Sequence, residues 1–121
     1  MIITHQNLSN RDRSILKRAI DISRTSTCKQ KHGAVIYKGG RVLSVGVNRF
    51  RNEHASMEIS KSDYTTHAEQ AVLDALGGRA DGCTIYIART NRQGNPVNSA
   101  PCARCTYILE VAGIKRVVYT A

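Results

Sequence analysis

The sequence predicts an α/β fold, a mixed sheet with helices packed on it. Three observations carry that expectation. β-rich runs alternate with stretches of helical periodicity. Two of the runs are separated only by Gly39-Gly40, a hairpin signal, since both turn positions can take positive φ. The last two runs are joined through a helical stretch, which calls for parallel pairing with a right-handed crossover.

The elements follow in order. Ile15, Leu16, Ala19, Ile20 and Ile22 recur at helical spacing, with Arg11, Asp12, Lys17, Arg18 and Asp21 between them. A helix is therefore expected over residues 9–23, capped by Ser9 or Asn10. "GAVIYK" and "RVLSVGVN" predict strands over 33–38 and 41–48. Residues 49–64 form a polar connection long enough to suggest a functional loop. Ala68, Ala71, Val72, Ala75 and Leu76 predict a helix over 66–76, stopped by Gly77-Gly78. "CTIYIART" predicts a third strand over 83–90. Pro101 suits the first helical position of a further helix that Gly113 ends. "KRVVYT" predicts a fourth strand.

A chain of 121 residues is enough for one domain, spanning 1–121. No run of about 18 apolar residues occurs, so no membrane span is expected. The stretch "MIITHQNLSNRDR" has no apolar run of secretory type, and a cytoplasmic location is expected. Eighteen Lys and Arg against nine Asp and Glu give a net charge of +9. The basic residues are scattered from Arg11 to Arg116, so the excess fits either a solvated surface or a polyanionic partner. Of the four cysteines, Cys28 and Cys83 are isolated and read as small buried hydrophobes. Cys102 and Cys105 form a C-x-x-C, which in a reducing compartment points to metal or redox work.

The chemistry is concentrated in "THAEQAV", residues 66–72, and "SAPCARC", residues 99–105. His67, Cys102 and Cys105 are three nitrogen and thiolate ligands, the complement of a catalytic zinc that keeps its fourth position open. Cys102 and Cys105 are three residues apart at a helix start and share a face, and a helix N-terminus favours thiolate. Residues two apart splay within a helix. Should His67 lie outside helical geometry, however, it and Glu69 can face one metal, with Glu69 carrying protons. Thr66-x-x-Glu69 is also a capping box, in which Glu69 would only bond the cap backbone. The combination of H-x-E, helix, strand and P-C-x-x-C is far more specific than any of its parts and is the signature of zinc deaminases.

On these residues the chain resembles the zinc-dependent cytidine and deoxycytidylate deaminase superfamily over roughly residues 9–120. The hairpin "HGAVIYKGGRVLSVGVN" and the ending "AGIKRVVYT" look most like deoxycytidylate deaminases. The resemblance implies a three-layer αβα fold with four to five strands and the zinc site at two helix N-termini. It implies Zn2+ held by His67, Cys102 and Cys105, and Glu69 moving protons as ammonia leaves. It also implies substrate contacts: Asn48 to the sugar, Ala34 lining the base pocket, Ala68 among the substrate-binding residues, and the backbone around Ala100 and Pro101 meeting the leaving amino group. The implied reaction is conversion of a cytosine nucleotide, dCMP to dUMP.

Departures bear on the substrate. Arg49 follows Asn48 where deoxycytidylate enzymes usually carry glycine. Ser99-Ala100 precedes Pro101 where tRNA deaminases usually carry glutamate. Arg49 and Arg51 can clamp a 5′-phosphate or a polynucleotide backbone with Phe50 stacking on a base. Deamination of single-stranded DNA or RNA is accordingly the alternative. The sequence stops after the fourth predicted strand, with no C-terminal helix of the kind tRNA and DNA enzymes use, which favours a small substrate. No cysteine lies in 49–64, so the second zinc of some relatives is not expected. A homo-oligomer is expected from the resemblance and from the small core of so short a chain.

Overall fold

A computed structural model describes residues 1–50 and 65–121. In chain order the elements are β1 (Ile2–Thr4), α1 (Asn10–Ser23), β2 (Lys31–Lys38), β3 (Arg41–Val47), β4 (Arg49–Phe50), β5 (Thr65–Thr66), α2 (Ala68–Asp74), β6 (Thr84–Thr90), β7 (Pro96–Val97), α3 (Ala103–Val111) and β8 (Arg116–Tyr119). The main sheet runs β1-β8-β6-β2-β3, with β7 added beside β6. β6 and β8 are parallel, as their helical connection requires, whereas β2 is antiparallel to both β3 and β6. A separate two-stranded ladder pairs Arg49 with Thr66 and Phe50 with Thr65. It joins the two ends of the long connection; Arg51, His54 and the rest of residues 51–64 lie outside the described residues.

The expected α/β class and mixed sheet hold, but the main sheet has six strands. β1 and β7 were not visible in the sequence. Strands of two or three residues show no period; β1 exists because it lies parallel along β8, and β7 because it folds back onto the end of β6.

Side-chain alternation sorts the core into two layers. Ala34, Ile36, Ile85, Ile87 and Val117 pack with Val72 and Leu73 of α2 and Leu109 of α3. Val35, Tyr86, Ala88 and Val118 pack with Ile15, Leu16 and Ala19 of α1. The sheet is thus covered by one helix on one face and two on the other, the three-layer arrangement. Gly33 permits the close approach of α1. A Cβ there would meet the Ala19 carbonyl oxygen at 2.5 Å and the Ser23 nitrogen at 2.6 Å. No helix of the described residues is long and apolar enough to cross a membrane.

Candidate active site

Two helix N-termini converge above the α2/α3 face. His67 is the N-cap of α2, with extended backbone (φ −65°, ψ 152°) and no side-chain capping bond. Two expectations are corrected here. The helix does not begin at Thr66, which belongs to β5, and the Thr66–Glu69 capping box does not form. Because His67 stands outside helical geometry, its side chain and that of Glu69, at the second helical position, escape the splay of a mid-helix pair. Glu69 is only 5% exposed.

The second N-terminus starts two residues later than expected: the first helical residue is Ala103, not Pro101, and Cys102 is its N-cap. Cys102 caps α3 through its sulfur, which accepts from the Cys105 backbone N–H at 3.5 Å. Capping therefore places both sulfurs on one side of the first turn. His67 Nδ1 lies 3.2 Å from Cys105 Sγ. The ligand atoms of His67, Cys102 and Cys105 all lie within 4.8 Å of one another.

This donor set fits a zinc ion. One imidazole nitrogen and two sulfurs would supply three of the four ligands that a catalytic zinc takes. Burial pushes the Cys105 thiol up, and the Glu69 carboxylate and Cys102 push it further in the same direction. A buried thiol beside a carboxylate gains a strong incentive to ionise only when a cation binds. An open cavity of about 200 Å³ borders His67 and Cys105 and is lined by Gln70 and Asp74 of α2 and by Arg104 and Ile108 of α3.

The remaining predicted residues differ in setting. Ala34 on β2 and Ala68 on α2 are fully buried in the core layer on the α2/α3 side of the sheet. Asn48 is buried, and its amide clasps the preceding segment. Its Oδ1 accepts from Ser26 Oγ (2.7 Å) and the His32 N–H (2.9 Å), and its Nδ2 donates to the Gln30 carbonyl (2.6 Å). Ala100 is exposed and donates its N–H to Asn98 Oδ1. Arg49 is exposed on β4. Cys28 and Cys83 are buried and lie outside the metal group.

Three features escaped the sequence reading. The first is the Ser99–Thr120 pair. Ser99 Oγ donates to the Ile87 carbonyl at 2.9 Å and accepts from Thr120 Oγ1 at 2.8 Å, tying the Ala100–Cys102 approach to β6 and to the end of β8. The second is His32, on the site face of β2. Burial pushes its imidazole down; the Glu69 charge opposes this, and Arg89 and His67 reinforce it. The third is Arg89, directly opposite His32 across the β2–β6 ladder. Ile85, Ile87 and Arg89 alternate onto one face of "CTIYIART", so a charged residue closing an otherwise apolar stripe was the available signal.

The family model described as the cytidine and deoxycytidylate deaminase zinc-binding region matches residues 9–121. Among solved structures, the dCMP deaminase of cyanophage S-TIM5 in apo form is 25% identical, with a TM-score of 0.71 over 93% of this chain and 84% of that one. The same cyanophage enzyme in complex with dCMP and dUMP is similar at 24% identity, TM-score 0.70, over 93% and 83%. Guanine deaminase from Bacillus subtilis shares the fold at 23% identity, TM-score 0.57, over 94% of this chain and 65% of that one. A search of curated protein sequences gave no significant match.

Proposed function

The chain belongs to the cytidine and deoxycytidylate deaminase zinc-binding family and is a hydrolytic deaminase; from that premise we propose that it converts a cytosine nucleotide, dCMP, to dUMP with release of ammonia. The observation that carries the choice of dCMP is the likeness to the cyanophage dCMP deaminase, which extends over 93% of the chain. The convergence of His67, Cys102 and Cys105 beside Glu69 supports the chemistry.

In this reading His67, Cys102 and Cys105 would hold Zn2+, which when bound would supply the charge that makes a water acidic enough to attack. Glu69 would pass one proton of the attacking water to ring N3 as the water oxygen bonds to C4 and the C4=N3 double bond opens, and would then carry the second proton from that oxygen to the amino nitrogen. The C4–N bond breaks, C4=O forms and ammonia departs. Burial keeps the Glu69 carboxylate away from bulk water, so the proton it accepts is held for the leaving group. Ala34 and Ala68 offer a flat apolar floor to the ring. The Ala100–Pro101 backbone presents acceptors to the amino group, and Ser99 fixes that segment. Asn48 holds the segment bearing His32 and stands beside the sugar.

Mass spectrometry of dCMP incubated with the zinc-loaded protein, beside Glu69→Gln, tests the proposal. Conversion by the wild type alone is expected; no conversion of dCMP, CMP or their nucleosides by zinc-loaded wild type removes the nucleotide reading. A second reading, deamination within single-stranded nucleic acid, is favoured by the exposed Arg49 and the net charge of +9. It predicts oligonucleotide binding that weakens steeply with salt.

A further inference from the structure

We infer that Arg89 receives the phosphate of the substrate nucleotide and makes the site selective for a nucleotide over its nucleoside. This rests on the deaminase reading above and names one recognition residue within it. Arg89 Nε is fully shielded from solvent and has no hydrogen-bond partner among the described residues. It is the one buried side-chain nitrogen or oxygen there of which this is true. Buried polar groups are almost always paired, so a lone exception calls for a ligand.

Position and chemistry agree on the kind of ligand. Thr90 bonds Ser23 of α1 and so faces the opposite layer, which places Arg89 with Ile85 and Ile87 on the catalytic face. Across the sheet Arg89 is opposite His32, whose backbone N–H is held by Asn48. Adjacent strands are about 4.8 Å apart, so Arg89 on β6 stands about 10 Å from β3, which Asn48 follows, a span on the scale of one nucleotide. The other partly buried arginine among the described residues, Arg116, has its guanidinium filled by Asp12 through two bonds of 2.8 and 2.9 Å. Arg89 has no such carboxylate among the described residues. A planar guanidinium with vacant N–H groups matches a phosphate in bidentate fashion. A neutral nucleoside leaves those groups unpaired, and this penalty is how a site rejects the analogue lacking one polar group.

The test separates binding from turnover. Zinc-loaded wild type, Arg89→Gln and Arg89→Lys are titrated with dUMP and with deoxyuridine, and KM is compared for dCMP and deoxycytidine. In wild type dUMP binds more tightly than deoxyuridine by about tenfold to a hundredfold, the worth of one charge-assisted contact. Arg89→Gln brings the ratio near one through the nucleotide alone and raises KM for dCMP but not for deoxycytidine, and Arg89→Lys keeps part of the ratio. An unchanged ratio in Arg89→Gln overturns the inference. So does equal weakening of nucleotide and nucleoside, which marks Arg89 as structural. Failure of wild type to convert dCMP defeats the proposed reaction, whereas the dUMP preference is read without chemistry and fails only on its own terms.

Discussion

Two polar clusters lie on opposite faces of the same sheet, and they are built in opposite ways. On the α1 face Asp12 is surrounded. It accepts from both Arg116 Nη atoms, from Tyr86 Oη at 2.8 Å and from the Ser9 N–H of its capping box. On the α2/α3 face Cys105 sits against Glu69 and Cys102, which together with burial push its thiol up, and Arg89 Nε has no acceptor among the described residues. A closed network satisfies itself and serves stability. An open one, with donors and acceptors left over, is completed by a ligand. The contrast matters because perturbed ionisation alone does not separate a structural ion pair from a catalytic site.

Removing a metal ligand is expected to have the largest effect. Cys102→Ala and Cys102→Ser should both lose zinc and fall to background turnover. Because serine retains the N-cap, the alanine variant should be less stable than the serine variant by about 1 kcal/mol. Metal content by mass spectrometry and paired thermal melts read the two effects; zinc-replete Cys102→Ala would remove it from the ligand set. Next is Glu69→Gln, which should keep its zinc while turnover falls by a factor on the order of 10²–10⁴. Parallel loss of zinc would make Glu69 structural.

On the closed side, Asp12→Asn should leave the site chemistry alone and lower stability by about 2–3 kcal/mol, since it strands a partly buried arginine. The Arg116 guanidinium beside Asp12 holds its carboxyl well below the usual range; burial opposes this, and Tyr86 and the Ser9 N–H add to it. A carboxyl depressed in the folded state contributes fully above its unfolded pKa, about 3.9, and loses that contribution as pH falls toward the folded value. Wild type should therefore lose stability below about pH 4 in a limb that Asp12→Asn flattens, as acid titration followed by circular dichroism would record. The smallest effect sharpens the comparison most. Arg89→Gln should change ligand-free stability by less than about 0.5 kcal/mol, because no bond to the described residues is lost. A larger loss in chemical denaturation would mean that Arg89 belongs to a closed network after all.

Much of this was legible in the chain. Helical spacing placed α1, Gly39-Gly40 placed the hairpin, and the C-x-x-C with H-x-E pointed to three donors and a carboxylate. What failed was local and small. Thr66 looked like a cap because capping-box spacing is present, yet its backbone is recruited into β5 by pairing with Arg49. Pro101 looked like a helix start, yet the Cys102 sulfur makes the capping bond and moves the start to Ala103.

By itself the sequence determined which residue types are available and which of them share a turn or a strand face, since periods of 3.6 and 2 are written in consecutive residues. Tertiary structure alone decided that Ser99 and Thr120 brace the cysteine approach, that Asn48 is occupied by the segment before β2, and that His32 and Arg89 stand side by side. Those contacts depend on register between strands distant in the chain. Register is set by how whole faces pack, a property no short window of residues contains.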